Sequence, residues 1–182
     1  NYAPAALEKW PIADSVNGDT VLMKYSQACE GGGDSCWLAS VANDGMLHFF
    51  NARTGVESSA VIPGQLWGNN QVATHQLRDM MNQPNLNELR KFYFDGGMRL
   101  YHDDANANGY IDNGETAKLI AGLGRGGKSY VMWDVSRFNG VPSAANNPPQ
   151  ELMADQSTSF KHLRETWNAP WLGRYRHNDN TI

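Results

Sequence analysis

The sequence predicts an all-β protein built from antiparallel strands joined by tight turns. Glycine and aromatic residues are frequent, with 18 Gly, 6 Trp, 7 Tyr and 6 Phe among 182 residues, which suits short strands and many turns. Turn dipeptides such as Asp44-Gly45 and Thr54-Gly55 separate short apolar segments, and Asp-Gly favours tight hairpins. The chain is long enough to form one domain with a hydrophobic core.

The first part of the chain reads as an antiparallel meander. Apolar segments of strand length occupy 21–25, 36–42, 46–51 and 56–62. They contain β-branched and aromatic residues, which strands favour. The turns between the last three segments are short, so neighbouring strands are expected to run in opposite directions.

The rest of the chain adds strands and one short helix. Three further strands are predicted, at 91–102, 117–123 and 128–135. The stretch 70–82 has a helical period and is followed by Pro84, which predicts a short helical insertion. The Asn/Pro/Ala-rich stretch 139–149 reads as a loop, and 160–176 reads as an edge strand interrupted at Pro170.

Residues 104–115 carry the pattern of a calcium-binding loop. Side chains with oxygen atoms occupy loop positions one, three, five, nine and twelve, namely Asp104, Asn106, Asn108, Asp112 and Glu115. Gly109 holds the sixth position, where the loop must turn sharply, and Tyr110 the seventh, where a backbone carbonyl is the ligand. Ile111 holds the eighth, where an apolar side chain can anchor the loop. Because calcium prefers a large shell of oxygen ligands, the stretch predicts a Ca²⁺ site.

Two other interpretations of this loop stay open. Asp, Asn and Gly are ordinary turn residues, so the stretch could be a polar turn without an ion, or its oxygens could hold another metal. The complete pattern favours calcium, because its three carboxylates would repel one another without compensation. Since the flanks read as strands and not as long helices, the loop is predicted to be a calcium-stabilised hairpin and not a sensor.

The cysteine pair predicts a disulfide. Cys29 and Cys36 enclose a segment with three consecutive glycines, and no CxxC pair or nearby histidine supports metal or redox chemistry. A disulfide that closes this loop is favoured, with two free thiols as the alternative. Both the disulfide and the calcium loop suit an oxidising exterior that contains millimolar calcium.

Composition argues against several classes of function. The net charge is −4 and the 15 Lys and Arg residues are scattered, so no basic patch indicates nucleic-acid binding. No apolar run reaches the length of a membrane-spanning helix. No Gly-x-Ser-x-Gly motif and no zinc-like histidine spacing is found, so neither an enzyme nor any catalytic residue is predicted.

Four segments read, in chain order, VANDGMLHFFNARTGVE, KFYFDGGMRLYHDDANANGYIDNGE, GLGRGGKSYVMWDVS and WNAPWLGRY. They resemble the C-terminal β-propeller of the PilC/PilY family of type IV pilus tip adhesins and biogenesis factors. The likeness covers roughly 37–175. Quinoprotein-type propellers share part of the first two segments, and the inserted acidic loop with the glycine-rich GRGGKSY makes the likeness more specific.

The resemblance implies a modified β-propeller in which antiparallel meanders form the blades and residues 1–182 are part of a single propeller domain. A blade takes roughly 40–50 residues and known propellers have about four to eight blades, so a piece of a larger protein is expected. The implied location is the pilus tip or the outer-membrane surface, after export through the periplasm. The implied roles are adhesion, pilus biogenesis and twitching motility.

The resemblance also implies partners and ligands. The partners would be the remainder of the propeller chain, the minor pilins of a type IV pilus, and a host-surface or glycan ligand. The calcium ligands would be Asp104, Asn106, Asn108, the Tyr110 carbonyl and Asp112. Glu115 completes the loop pattern, although a β-hairpin loop could end before its twelfth ligand.

Two rival functions are considered. In a calcium-dependent glycan-binding module, tryptophans would stack on a sugar that the ion also touches. In a fragment of a quinoprotein-type dehydrogenase, calcium would lie in a deep central site between blades beside a quinone cofactor. Here the predicted ligands belong to one continuous loop. This favours a calcium staple, meaning a surface ion that holds the loop in place, over the dehydrogenase.

Overall fold

The computed structural model describes residues 14–31, 33–67, 91–138, 160–171 and 173, and the backbone of 151–155. The predicted helix at 70–82 and the predicted loop at 139–149 lie outside these residues. Within them, the fold consists of two four-stranded antiparallel sheets. The described helices are two short 3-10 helices, Gln27–Cys29 and Gly64–Leu66, and neither is long and apolar enough to cross a membrane. The all-β prediction is confirmed for this part of the chain.

The first sheet is a meander of four strands in chain order. They are β1 Thr20–Lys24, β2 Cys36–Val41, β3 Leu47–Asn51 and β4 Glu57–Val61. Each strand pairs antiparallel with the next. Gly45 (φ 84°) and Gly55 (φ 70°) close the two tight turns, because glycine adopts a positive φ without steric cost. The strands and turns predicted for this part are confirmed.

The second sheet repeats the arrangement. Its strands are β5 Met98–His102, β6 Ala117–Gly122, β7 Ser129–Asp134 and β8 Glu151–Asp155, paired antiparallel in that order. The first three were predicted, but the strand predicted at 91–102 begins only at Met98. Residues 91–97 form bends, where Asp95 and Gly97 donate to the Leu123 and Trp167 carbonyls and not along a strand. The fourth was missed because its sequence, ELMAD, has neither β-branched nor aromatic residues and gives no strand signal by itself. Pairing with β7 makes it a strand.

One hydrophobic core joins the two sheets. Side chains along a strand alternate between its two faces, and the core receives Leu47 and Phe49 from β3 and Leu119 and Ala121 from β6. Phe138, which follows β7, packs its ring 4.5 Å from the ring of Phe49. Full burial of a large apolar side chain contributes about 1.5–3 kcal/mol, so this core is the main stabilising element of the described fold.

Polar contacts add to the connection between the sheets. Asn43, in the turn between β2 and β3, donates to the Lys91 carbonyl at 3.1 Å and accepts from the Tyr93 N–H at 3.0 Å. The Asp19 carboxylate, next to β1, accepts from the Met98 N–H at 3.1 Å. The first strands of the two sheets, β1 and β5, also contact each other. The two meanders are therefore packed together with their first strands adjacent.

The segment around Thr166 packs against glycines at the end of β6. Thr166 is buried and accepts from the Leu123 N–H at 2.9 Å while its hydroxyl donates to the Ser129 carbonyl at 2.8 Å. Gly122 lies against it, and a Cβ there would overlap the Thr166 carbonyl oxygen. The predicted edge strand at 160–176 is wrong for the described residues of that range. They form a turn and one isolated bridge, between Thr166 and Gly124, because Thr166 bonds at the end of β6 and not along a strand edge.

The predicted disulfide between Cys29 and Cys36 is present. The 3-10 helix Gln27–Cys29 begins after Ser26, whose hydroxyl accepts from the Ala28 N–H at 3.2 Å. In the chain-entropy model, closing so short a loop contributes roughly 2–2.5 kcal/mol. The disulfide therefore holds the loop that leads from β1 into β2.

His48 on β3 is a buried histidine between two carboxylates. Its Nδ1 lies 2.7 Å from Glu57 Oε1 and its Nε2 lies 3.0 Å from Asp44 Oδ2. Burial opposes the charged imidazolium. The hydrogen bonds and charges of Asp44 and Glu57 outweigh burial and raise the pKa of His48 above its usual value. His48 therefore ties β3 to β4 and to the turn before β3.

A methyl group at Gly122 should destabilise the fold. Gly122→Ala is expected to lower the free energy of unfolding by about 1–3 kcal/mol, because the added Cβ overlaps backbone. Urea unfolding at constant pH measures the change. Gly64→Ala is the matched control, since a Cβ there meets no atom within 4 Å. Equal stability of the two variants would contradict the close packing of Gly122 on Thr166.

The stabilising contribution of His48 should depend on pH. Because folding raises its pKa, the folded state holds the proton more tightly. The contribution is full below the ordinary histidine pKa of about 6.5 and is lost as pH rises through the raised pKa. The stability difference between the native chain and His48→Gln should therefore shrink from pH 6 to pH 9. Thermal unfolding of both chains at each pH measures it. A difference that stays constant over this range would be the contrary result.

Candidate metal centre

The acidic loop at 104–115 connects two antiparallel strands. β5 and β6 pair with His102 opposite Ala117, and the Asp103 N–H donates to the Thr116 carbonyl at 2.9 Å. Strands therefore lie on both sides of the loop, as the sequence predicted, and the hinged helices of a calcium sensor are not its neighbours.

Asp104, at the first loop position, lies on the inside of the loop. Its Oδ1 accepts from the Asn108 N–H at 3.0 Å and its Oδ2 from the Gly109 N–H at 2.8 Å. Ala107 (φ 57°) and Gly109 (φ 79°) both have positive φ. These two residues turn the backbone sharply, so that its amides face the first carboxylate.

The side chains of Asn106 and Asn108 both donate to Asp112. Its Oδ2 accepts from Asn106 Nδ2 at 2.8 Å and from Asn108 Nδ2 at 2.7 Å. Loop positions three, five and nine are thus brought into contact. The amide oxygens of the same asparagines accept backbone N–H groups, of Asn108 at 3.1 Å and of Tyr110 at 2.8 Å.

Glu115, at the twelfth position, folds back onto the start of the loop. Its Oε1 accepts from the Ala105 N–H at 2.9 Å, and its Oε2 accepts from the Asp112 N–H at 3.0 Å and lies 2.8 Å from His102 Nε2. The Asp112 N–H, then His102 and then the Ala105 N–H hold the pKa of Glu115 below its usual value, against the opposing effect of desolvation. The hairpin therefore does not end before position twelve, and Glu115 lies close to His102 and Asp104.

His102 is the residue that sequence reasoning missed. One ligand atom each of His102, Asp104 and Glu115 lies within 4.8 Å of the other two. The spacing of the histidines along the chain does not resemble a zinc motif and gives no indication of this contact. The predicted hairpin could have indicated this contact. Strand pairing in a hairpin places the last residue before the loop, here His102, beside the end of the loop, where Glu115 stands.

Ile111 anchors the loop to the first sheet. Its side chain is buried in the shared core, and its N–H donates to the Lys24 carbonyl at 2.7 Å, at the end of β1. The neighbouring Tyr110 has the Lys24 ammonium 5.8 Å from its ring centroid. Hydrogen bonds from Lys24 and Tyr110 lower the pKa of Glu30, which lies inside the disulfide loop. The expected anchor is therefore present, and it joins the acidic loop to β1 and to the disulfide loop.

The donor set of the loop fits calcium. Every predicted side-chain ligand carries an oxygen, and hydrogen bonds connect Asp104 with Asn108, Asn106 and Asn108 with Asp112, and Asp112 with Glu115. Calcium takes six to eight oxygen ligands and tolerates an irregular shell. Three carboxylates in one short loop supply negative charge that such an ion would balance.

The chain is similar in sequence to a known pilus biogenesis factor. No protein-family model and no solved structure matches it. The Type IV pilus biogenesis factor PilY1 of Pseudomonas aeruginosa (strain UCBPP-PA14) is 32% identical over 136 residues, which are 73% of this chain and 10% of that protein. The chain thus spans about a tenth of the length of this relative. The alignment supports a PilY1-like relationship at the level of the family.

Gly109 offers a test of the loop conformation. Its φ is positive and a Cβ there would meet no atom within 4 Å, so a substitution acts through the backbone alone. Gly109→Ala is expected to lower the free energy of unfolding by about 1 kcal/mol in the presence of a chelator, because alanine disfavours positive φ. Chemical unfolding measures the loss. Gly109→Asn should cost less, because asparagine tolerates this region. An alanine variant as stable as the native chain would contradict the turn described here.

Proposed function

We propose that the chain is a calcium-stabilised propeller region of a PilC/PilY-type pilus protein, which acts in type IV pilus biogenesis and surface adhesion. The observation that carries the proposal is the complete acidic loop between two strands of a meander, within a chain that aligns with PilY1 over 73% of its residues. Hydrogen bonds connect the loop residues into a cluster whose oxygen atoms are suited to bind a metal ion. The aligned relative is by name a pilus biogenesis factor.

In this proposal Ca²⁺ is held by Asp104, Asn106, Asn108, the Tyr110 carbonyl, Asp112 and Glu115. The ion supplies positive charge and a fixed set of oxygen contacts, with no role in a chemical reaction. An asparagine amide carries oxygen and nitrogen on one planar group, so a rotation of the side chain exchanges donor for acceptor. The amides that now donate to Asp112 can therefore present oxygen in the same place.

The ion acts as a staple and not as a switch. The residues on both sides of the loop belong to paired strands, and Ile111 is buried in the core. A calcium switch needs elements that change their packing when the ion binds. A bound ion here would instead hold the loop, β1 and the disulfide loop in the arrangement that Ile111, Lys24 and Tyr110 already define.

The two meanders are proposed to be neighbouring blades of a propeller. Propeller blades are four-stranded antiparallel sheets arranged around a centre. The two sheets each have four strands in chain order, share one core and approach through their first strands. Further blades would come from the remainder of the parent chain, since the chain corresponds to only 10% of the aligned relative.

The proposed location and partners follow from the pilus assignment. The disulfide between Cys29 and Cys36 is typical of proteins exported into an oxidising compartment, which fits passage through the periplasm to a pilus tip or the outer-membrane surface. The proposed partners are minor pilins and a host-surface ligand. The proposed role is non-enzymatic, because the candidate ligands all come from one hairpin loop and not from the deep site that a quinoprotein dehydrogenase needs.

Removing one carboxylate should abolish the calcium response. A dissociation constant on the order of 10⁻⁵–10⁻³ M is expected for such a loop. At the tight end of that range, 1 mM calcium would add about 2.7 kcal/mol of stability. Asp112→Ala should remove both the heat of calcium binding in calorimetry and the calcium-dependent rise in melting temperature.

Asn113→Ala is the matched control for this variant. Asn113 is exposed and holds the tenth loop position, which supplies no ligand in this pattern. It should keep the native calcium response. A native chain that shows neither heat nor stabilisation with calcium would end the calcium proposal.

In the bacterium that carries the gene, Asp112→Ala should weaken twitching motility, and unchanged piliation and motility would reject the pilus role.

A glycan-binding module is the second candidate. Trp67 and Trp171 are 67% and 97% exposed, whereas packing between blades would bury them. Exposed tryptophan rings are suited to stacking on sugars. A glycan array with and without chelator separates the candidates. Glycan binding that is lost with chelator while the fold persists would favour this function over the staple.

A further inference from the structure

We infer that the base of the acidic loop also binds a borderline divalent metal ion of the Zn²⁺ class, through His102, Asp104 and Glu115. One ligand atom from each of these side chains lies within 4.8 Å of the other two. The inference goes beyond the calcium staple, because it assigns a metal-binding role to a histidine that no calcium loop requires.

The nitrogen ligand sets the chemical class of the ion. Calcium takes oxygen ligands, whereas imidazole nitrogen combined with carboxylate oxygen suits zinc and neighbouring transition metals. Zinc sites with three protein ligands, such as histidine with carboxylate, leave a fourth position for water or an external ligand. His102, Asp104 and Glu115 provide three such ligands at one point of the hairpin.

These three side chains are more sheltered than the tip of the loop. His102 is the last residue of β5, and the side chains of His102 and Glu115 are only 15% and 7% exposed. Asn106 and Asn108, by contrast, are exposed. The strand fixes the position of His102, so less conformational freedom is lost when an ion binds.

The neighbours of Glu115 hold it in place for binding. The N–H groups of Ala105 and Asp112 each donate to one of its carboxylate oxygens, and both bonds can persist when an ion joins the free lone pairs. Hydrogen bonds that orient a ligand in this way raise metal affinity. The carboxylate is therefore supported by backbone and not by another mobile side chain.

Binding replaces one hydrogen bond by two metal bonds. His102 Nε2 and Glu115 Oε2 are 2.8 Å apart. Because an ionised carboxylate only accepts, the proton of this hydrogen bond lies on Nε2. When an ion binds, that proton leaves Nε2, by exchange through water to Nδ1 of a neutral ring or to water from a charged ring, and the Nε2 lone pair binds the metal. Glu115 Oε2 and an Asp104 oxygen complete the set, and no electron is transferred. Because Asp104 and Glu115 would serve both ions, zinc and calcium should compete, and this competition alone rests on the proposed calcium site.

Calorimetric titration of the whole chain with ZnCl₂, after removal of bound metals, tests the inference. The native chain should bind zinc, and His102→Gln should lower the zinc affinity at least about tenfold, the smallest loss typical of even an indirect contact. The exposed His162→Gln is the control and should bind like the native chain. A native circular-dichroism spectrum and a cooperative urea unfolding transition would show that His102→Gln is folded.

Asp112→Ala provides the reverse comparison, since Asp112 is a predicted calcium ligand outside the zinc set. It should lose calcium binding and keep zinc binding. A native chain that does not bind zinc, or a His102→Gln variant with native zinc affinity, would overturn the inference. Absence of zinc binding with intact calcium binding would reject this site alone. Absence of calcium binding with intact zinc binding would reject only the calcium staple.

Discussion

The crowding of carboxylates in the β5–β6 loop is the constraint on which the rest of the site depends. Asp104, Asp112 and Glu115 belong to one short connection, and each accepts N–H donors from the loop itself. Those donors offset part of the repulsion between the carboxylates, because hydrogen bonds to ionised oxygens are stronger than neutral ones. A bound cation, as proposed for this loop, would offset the repulsion more effectively than these dipoles do.

The loop also contributes to the packing between the two sheets. Ile111 is buried in the core that both sheets share, and its N–H reaches the Lys24 carbonyl at the end of β1. The loop of the second sheet is thus joined to the first strand of the first sheet, close to the disulfide loop. An ion that orders the loop would stabilise this junction between the two meanders.

Much of the fold could be predicted because its signals are local. Asp44-Gly45 fixes a tight turn, a short run of apolar and aromatic residues marks β3, and the spacing of acidic residues marks the loop. The strand Glu151–Asp155 could not be predicted, because pairing with β7 and not its own composition makes it a strand. The bridge at Thr166 depends on a glycine far away in sequence. His102 was missed for a related reason, because its partner Glu115 becomes its neighbour only when the hairpin closes.

The most direct measurement is a high-resolution crystal structure of the chain grown with millimolar calcium. The central claim predicts one ion in the loop, with oxygens of Asp104, Asn106, Asn108, Tyr110, Asp112 and Glu115 about 2.3–2.6 Å from it and β5 and β6 still paired on either side. A loop that holds no ion under these conditions, with the Asn106 and Asn108 amides still donating to Asp112, would contradict the claim.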